Sequence, residues 1–145
     1  AKRFIENYFT TNKGVKSFID RTVREAEQNG FVTTLLGRKR WVPDINSKNH
    51  NISEFAKRTA INTPIQGSAA DLIKIAMINL HRIFKDKKLK SAMILQVHDE
   101  LVFEVHKDEI ETVKSVVKEE MEGAIKLNVP VSVEMGHGTN WLEAH

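Results

Sequence analysis

Hydrophobic residues in the C-terminal half repeat first at helical and then at alternating spacing. Between residues 69 and 86 the apolar positions fall three and four residues apart, which predicts an amphipathic helix. Residues 91–97 and 100–105 are β-prone runs with almost nothing between them, which predicts a hairpin. A second helical pattern over 108–125 precedes alternating valines over 129–135, which predicts a third strand. We therefore expect an α+β fold in which an antiparallel sheet is backed by two helices.

The N-terminal half is predicted to be mainly helical, with one β-prone interruption. Apolar residues at helical spacing lead to Gly30, a residue suited to the positive φ that ends a helix. Residues 31–36 form a short β-prone run, and the mixed polarity of residues 41–50 predicts a loop. Asn51, with Glu54 three residues later, predicts the start of the next helix. After residue 135 the tail is predicted to be irregular.

The predicted hairpin carries three polar residues at its tip, namely His98, Asp99 and Glu100. The tip lacks the Asn-Gly or Asp-Gly pair that suits so tight a turn. Adjacent carboxylates repel each other unless a cation lies between them, and hard divalent cations such as Mg²⁺ prefer oxygen ligands. In this interpretation Asp99 is the better ligand and Glu100 a weaker or supporting one. Because successive strand residues point to opposite faces, both reach one ion only if the turn twists them together. Two structural alternatives are acids that face solvent and a core histidine with satisfied hydrogen bonds.

A second group of polar residues follows helical spacing across a proline. Arg58, Asn62 and Gln66 are four residues apart and form one stripe if the helix continues through Pro64, where we expect a kink. Their guanidinium and amide groups can donate to acceptors that every base pair presents in the minor groove. Such a stripe could check base-pair shape without recognising sequence. The alternative is a capping and solvation role for three common polar residues.

Composition excludes several classes of function. The length of 145 residues suits a single domain, and 41% hydrophobic and 28% charged residues are typical of a globular protein. Without cysteine there is no disulfide, cysteine-ligated zinc or thiol catalysis, and a reducing compartment is predicted. No apolar run approaches the roughly eighteen residues of a membrane span. The first residues do not resemble a signal peptide.

Charge is distributed unevenly along the chain. The net charge is only +3, but six Lys/Arg against two acids give residues 37–58 a charge of +4. The densest part of this segment is Arg38, Lys39 and Arg40. A basic face of this kind favours contact with a polyanion such as nucleic acid. Ordinary solvated loops also contain such clusters, so charge alone leaves both interpretations open.

Three segments, in this order, resemble family A DNA polymerases, the bacterial DNA polymerase I type. Residues 34–45 are similar to a fingers segment of that family, residues 58–71 to its fingers-to-palm helix, and residues 96–100 to palm motif C. The ending, residues 140–145, also resembles that of the family. The four sequences are TLLGRKRWVPDI, RTAINTPIQGSAAD, QVHDE and NWLEAH. The resemblance covers essentially the whole chain.

The resemblance implies template-directed DNA synthesis by phosphoryl transfer with two Mg²⁺ ions. Asp99 would ligate metal and Glu100 would support the site as the second catalytic carboxylate, while His98 would lie near the primer terminus. The partners would be template–primer DNA and deoxynucleoside triphosphates, and the location would be the cytoplasm, at the nucleoid, rather than a membrane. The implied DNA-binding residues are Arg38, Lys39, Arg40, Arg58, Asn62, Gln66 and His98.

The chain departs from the family by omission. It contains no Asp-Tyr-Ser-type strand for the second metal-binding aspartate, and no fingers helix that grips the triphosphate. The resemblance therefore implies that residues 1–66 are part of the fingers with the connecting helix, and that residues 67–145 are the C-terminal part of the palm. We expect the chain alone to be inactive and to need the missing N-terminal part of the polymerase. An uncovered sheet edge would also allow self-association.

Two functions other than that of a family A DNA polymerase are also compatible with parts of this sequence. A single-subunit RNA polymerase shares the palm and a His-Asp motif, although residues 66–71 favour a DNA polymerase. A non-enzymatic DNA-binding module built on the basic segment 37–58 belongs to a different class. It predicts salt-sensitive DNA binding that needs no metal and survives Asp99→Ala unchanged.

Overall fold

The computed structural model describes residues 2–144, so Ala1 and His145, the last residue of the segment 140–145, lie outside it. The described chain forms two compact units, one ending at Ser68 and one beginning at Ala69. Each unit has a hydrophobic core of its own.

The first unit is mainly helical, as the sequence pattern predicts, and it contains one small antiparallel sheet, of which only the first strand lies in the predicted β-prone run. Its second helix ends at Asn29 and is capped by Gly30, where φ is +75° and the backbone N–H donates to the Ala26 carbonyl, so the predicted helix end is confirmed. The elements are α1 (Lys2–Thr11), α2 (Lys13–Asn29), β1 (Phe31–Thr33), β2 (Lys39–Trp41), a 3-10 helix (Pro43–Asn46), α3 (His50–Asn62) and a π-helical turn (Thr63–Gly67). The 3-10 helix lies inside the predicted loop 41–50, so the prediction of an irregular loop is wrong there.

Helix α3 begins earlier than predicted. Asn49 is its N-cap, and the side-chain Oδ1 of Asn49 accepts hydrogen bonds from the backbone N–H groups of Asn51 at 3.0 Å and Ile52 at 3.4 Å. These donors have no partner inside the helix, so the cap removes the cost of leaving them unsatisfied. The predicted capping position, Asn51, is therefore wrong by two positions: Asn49 is the cap and the helix begins at His50.

The core of the first unit is built mainly from small side chains. Ala26 of α2 and Ala60 of α3 are fully buried, which lets the two helices approach closely. The hairpin and the segment after it complete the core with Val32, Val42 and Ile45. Small residues at the helix contact thus fix α3, and with it the polar stripe, on α2.

The second unit packs two helices against a β-hairpin. Its elements are α4 (from Ser68 to Asp86), β3 (Ala92–Val97), β4 (Glu100–Glu104), a 3-10 turn (Lys107–Glu109), α5 (Ile110–Glu122) and α6 (Trp141–Ala144). The core pairs apolar residues of α4 with those of α5, and β4 packs on it through side chains such as Phe103, whose ring lies 5.8 Å from that of Phe84. Both predicted helices and the predicted hairpin are confirmed, and no end is shifted by more than three residues.

Residues 129–135 do not form the predicted third strand. Within the described residues this sheet contains only β3 and β4. The alternating valines still have a packing role, since Val133 lies against the core. Its backbone N–H, however, donates to the Glu122 carboxylate at 3.1 Å instead of to a neighbouring strand. Alternation predicts one buried face, whereas a strand also needs a backbone partner.

The tail also differs from its prediction, because it ends in a short helix. Asn140 Oδ1 accepts from the Glu143 N–H at 3.1 Å, and the Glu143 carboxylate accepts hydrogen bonds from the N–H and the hydroxyl of Thr139. This reciprocal arrangement resembles a capping box and allows a single turn to form. The hydrogen bonds from Thr139 and Asn140 lower the pKa of Glu143.

None of the described helices is both long enough and apolar enough to cross a membrane.

Candidate nucleic-acid interface and metal-binding tip

The β3–β4 hairpin places the three polar residues in a two-residue turn. Val97 pairs with Glu100, so His98 and Asp99 form the turn itself and Glu100 begins β4. His98 has a φ of +54°, whereas Asp99 keeps a negative φ. Histidine is one of the few side-chain-bearing residues that enter this region with some frequency. The tip thus forms without the Asn-Gly pair because His98 itself supplies the positive φ.

The side chains of the tip are exposed to solvent. His98, Asp99 and Glu100 all lie on the surface, and β3 leaves Ile94 58% exposed. The interpretation of His98 as a core histidine is therefore wrong. The free-energy cost of burying a charged carboxylate therefore gives no reason to expect a cation at this tip, since both carboxylates remain in contact with water.

Gln96 braces the turn from the end of β3. Its side-chain Nε2 donates to the backbone carbonyl of His98 at 3.0 Å. This bond ties His98, the residue with the positive φ, to the strand before it. Gln96 lies within the recognised segment 96–100, yet its role as a brace was not predicted, because the bond depends on the turn conformation.

The donor chemistry of the tip suits a hard cation, but the number of ligands is small. Asp99 and Glu100 provide carboxylate oxygens, which are the ligands that Mg²⁺ prefers. Among the described residues, no three His, Asp or Glu side chains are grouped closely enough to form a metal site. The tip therefore fits one part of a metal site, and further ligands would have to come from outside the described chain.

A shallow groove runs along the tip and is closed by the tail. Val97, His98, Asp99 and Glu100 line one side, and Trp141 and Leu142 of α6 line the other. Trp141 is half exposed, so an indole face is available beside the carboxylates. Trp141 was not among the predicted site residues, because the tail was expected to be irregular.

The base of the hairpin is anchored by one carboxylate. Glu109 accepts hydrogen bonds from the backbone N–H of Lys90 at 3.0 Å and from both the N–H and the hydroxyl of Ser91. The Ser91 hydroxyl in turn accepts from the His106 N–H, which lies just beyond β4. These donors, above all the Lys90 N–H, lower the pKa of Glu109. The start of β3 and the end of β4 are thereby held together far from the tip.

In the first unit, the polar stripe lies on α3 and the π turn. Arg58, Asn62 and Gln66 are all exposed. On an uninterrupted α-helix, positions eight residues apart differ by about 80° around the axis. A π turn has i→i+5 hydrogen bonds and more residues per rotation, so it turns the chain less per residue. The turn at Thr63–Gly67 therefore brings Gln66 back toward the line of Arg58 and Asn62.

The π turn also explains how the helix continues past Pro64. Proline lacks an N–H and its ring clashes with the carbonyl four residues earlier in an α-helix. A wider turn moves that carbonyl away, so the predicted kink takes the form of a π turn. At the start of the turn the Thr63 hydroxyl donates to the Thr59 carbonyl of α3 at 2.7 Å. The helical backbone therefore continues through Pro64, which the interpretation of the stripe as one surface requires.

The hairpin loop of the first unit is fastened to this π turn. Arg38 Nη2 donates to the Gly67 carbonyl at 3.1 Å, and the Leu35 N–H donates to Ser68 Oγ at 2.8 Å. Ser68 Oγ also donates to the Pro64 carbonyl. Thr34 and Ser68 are both buried at this contact.

The structure does not present Arg38, Lys39 and Arg40 as one basic surface. The Arg38 side chain turns to Gly67, and the Lys39 ammonium lies over the Phe31 ring at 4.4 Å from its centroid. Arg40 pairs with Val32 across the sheet, so it lies on the opposite face from Lys39. The three residues therefore have different surroundings, which a charge count cannot distinguish.

Known proteins are similar to this chain along almost its whole length. A sequence profile described as DNA polymerase family A matches residues 1–143. DNA polymerase I of Bacillus subtilis is 50% identical over 144 residues, covering 99% of this chain and 16% of that protein. DNA polymerase I of Geobacillus stearothermophilus is 51% identical over 144 residues, with the same coverage. The chain thus spans about one sixth of the length of the curated relatives that it matches.

A solved structure is also similar along the chain. It is the POL domain of Pol1 from M. smegmatis in complex with DNA primer-template and dNTP, with a TM-score of 0.96 and 44% sequence identity. The match covers 99% of this chain and 25% of that one.

Proposed function

This chain belongs to DNA polymerase family A, and from that premise we propose that it is a portion of a DNA-directed DNA polymerase. The complete enzyme adds deoxynucleotides to a primer 3′-hydroxyl under the direction of a template, in DNA replication and repair. The observation that carries this proposal is the exposed Asp99–Glu100 pair at a braced hairpin tip. The relatives named above are DNA polymerases, which favours this function over a single-subunit RNA polymerase.

Family A polymerases depend on metal ions, and the tip has the donor chemistry for Mg²⁺. Asp99 would be the ligand, and Glu100, the next residue along the chain, would support it. When bound, two such ions would activate the primer hydroxyl and neutralise charge on the triphosphate. This chain would contribute the placement of its two carboxylates, supported by the Gln96 hydrogen bond at the tip and the Glu109 anchor at the base of the hairpin. The remaining ligands come from the rest of the polymerase.

Template–primer DNA is the partner proposed for the polar stripe. Arg58, Asn62 and Gln66 are exposed donors along one line, which matches a row of minor-groove acceptors shared by all base pairs. His98 would lie near the primer terminus because it occupies the turn beside Asp99. Lys39 and Arg40 would contact phosphates, and deoxynucleoside triphosphates would be the second substrate. Such an enzyme works at the nucleoid, in the cytoplasm.

We assign the two compact units to two subdomains of the polymerase. The fingers portion with its connecting helix is assigned to residues 1–66, and the palm portion to residues 67–145. The boundary between the units, after Ser68, falls two residues from this division. This assignment is supported because each unit carries one of the two candidate sites, the polar stripe in the first unit and the carboxylate tip in the second.

Primer extension by the complete polymerase tests the proposal. Asp99→Ala should reduce incorporation of deoxynucleotides by more than about a hundredfold, since removing a metal ligand lowers activity more than removing a residue that only supports a ligand. Binding of template–primer DNA should be largely retained. Glu104→Gln, at the far end of β4, is the matched control and should leave incorporation near the parental rate.

Other outcomes would contradict the assignment. Full incorporation by Asp99→Ala would exclude its role as a metal ligand. A complete protein that binds DNA in a salt-sensitive way but never extends a primer would support the non-enzymatic binding module. Preference for ribonucleotides would support an RNA polymerase. The present chain assayed alone should incorporate nothing, and robust synthesis by it would contradict the proposed dependence on outside ligands.

A further inference from the structure

Arg38 makes a contact that its place in a basic cluster does not predict. Its guanidinium reaches 29 residues along the chain to donate to the Gly67 carbonyl at 3.1 Å. Gly67 is the last residue of the π turn and directly follows Gln66. A charged donor on a backbone carbonyl makes a stronger hydrogen bond than a neutral one. The contact therefore bears on the conformation of the turn that carries Gln66.

The surrounding contacts fix the loop that holds Arg38. The Arg38 N–H donates to the Thr34 hydroxyl at 3.2 Å, and the Leu35 N–H donates to Ser68 Oγ at 2.8 Å. Thr34 and Ser68 are almost fully buried, so these bonds are shielded from water. The Arg38 side chain thus extends from a fixed loop to a fixed point on the π turn.

The π turn matters because of what it does to the stripe. In a continuous α-helix the stripe would rotate steadily, and Gln66 would point about 80° away from Arg58. The wider turn cancels part of that rotation between Asn62 and Gln66. A π turn is intrinsically rare, so contacts that hold it determine whether the three donors stay in line.

We infer that Arg38 is a positioning residue for Gln66: by holding the Gly67 carbonyl it keeps the π turn in the register that aligns Gln66 with Arg58 and Asn62. This inference rests on the proposed minor-groove role of the stripe. It reassigns Arg38, which sequence reasoning grouped with direct DNA contacts. Arg38 acts on the DNA through Gln66 and not through a phosphate.

The test is a double-mutant cycle in the complete polymerase. Arg38→Ala, Gln66→Ala and the double variant are compared for kcat/KM of single-nucleotide extension from matched and mismatched primer ends. Arg38→Ala should lower matched extension by about tenfold, in keeping with the loss of one charge-assisted hydrogen bond. In the Gln66→Ala background the same change should cost less than about twofold, because the residue through which it acts is already absent.

Salt dependence separates positioning from phosphate binding. Loss of one phosphate contact reduces the slope of log affinity against log salt by about one. Arg38→Ala should leave this slope unchanged. Arg21→Ala, an exposed arginine on α2, is the matched control and should change neither the slope nor extension. Arg38→Lys retains a charged donor, so it should lose less extension than Arg38→Ala. Its coupling energy with Gln66→Ala should have the same sign as that of Arg38→Ala with Gln66→Ala.

Each alternative outcome has a definite meaning. Additive losses with a slope reduced by about one would overturn the inference and make Arg38 a phosphate contact. Additive losses with an unchanged slope, or no loss at all, would also overturn it. If Arg38→Ala does not fold, the cycle with Arg38→Lys decides between the same outcomes. A parental enzyme that extends no primer would instead refute the proposed function, so the two failures are distinguishable.

Discussion

A Cβ atom added to Gly67 would lie 2.7 Å from Thr34 Cγ2, so these two residues approach as closely as a glycine permits. Thr34 is 4% exposed and belongs to the loop that carries Arg38. The loop and the π turn are therefore in contact through packing as well as through hydrogen bonds.

Gly67→Ala should destabilise the chain. Alanine is ordinarily better than glycine inside a helix by about 0.5–1 kcal/mol, but the added methyl group must displace Thr34 at a cost of about 1–3 kcal/mol. We expect a net loss of roughly 1–2 kcal/mol in the free energy of unfolding, measured by urea titration with an unchanged m-value.

Thr34→Ser provides the control for this contact. It removes the crowded methyl group and keeps the hydroxyl that accepts from the Arg38 N–H. In the Thr34→Ser background, Gly67→Ala should cost less than half of its effect in the parent. Equal effects of Gly67→Ala in both backgrounds would show that the close approach does not limit the site.

Glu109→Gln should change how stability depends on pH. The pKa of Glu109 is lowered in the folded chain, first by the Lys90 N–H and then by Ser91. A lowered pKa gives stability that is present above the ordinary glutamate range, about pH 4.3, and is lost as the pH falls through the lower folded pKa. Melting temperatures of parent and variant should therefore differ at pH 7 and converge in acid.

Glu111→Gln is the control for net charge in this comparison. It removes one negative charge from an exposed side chain in the first turn of α5. If the melting temperatures of parent and Glu109→Gln stay equally far apart between pH 7 and pH 3, the carboxylate is not the source of the pH dependence.

Substitutions at His98 should report on the positive φ of the turn. A β-branched residue enters this region with difficulty, so His98→Val should lower the free energy of unfolding by roughly 1–2 kcal/mol. His98→Gly and His98→Asn tolerate the conformation and should stay within about 0.5 kcal/mol of the parent. All three variants lack the imidazole, so a difference between their free energies of unfolding in urea reports on the backbone conformation at residue 98. Equal stability of the Val and Gly variants would contradict this account.

Ile94→Lys should reduce self-association of the isolated chain. Ile94 is 58% exposed on β3, and a two-stranded sheet leaves unpaired backbone groups available to a second copy. A lysine on such an edge opposes pairing by charge repulsion. Ile78→Lys, at a 51% exposed position on α4, makes the same exchange away from the sheet. Sedimentation velocity at increasing concentration should show a lower association constant for Ile94→Lys only.

Local patterns were sufficient for most elements of the fold. The helix over 69–86 and the hairpin over 91–105 follow from periods of 3.6 and 2, which require no knowledge of distant residues. The prediction of a strand at 129–135 was wrong because a strand needs a hydrogen-bonded backbone partner, and the Val133 N–H donates to the Glu122 carboxylate instead. The helix at Trp141 was missed because its cap depends on a reciprocal bond between Asn140 and Glu143.

For the candidate sites, the sequence by itself determined which chemistries are present: two adjacent carboxylates, a stripe of donors and a basic cluster. It also determined the family, because the motifs and their order along the chain can be read directly from the sequence. Only the tertiary structure decided how those groups are used. It placed the tip in solvent, braced it with Gln96, and turned Arg38 away from its basic neighbours toward Gly67. The physical reason is that hydrogen bonds between residues far apart in the chain depend on three-dimensional proximity, which residue type and spacing do not encode.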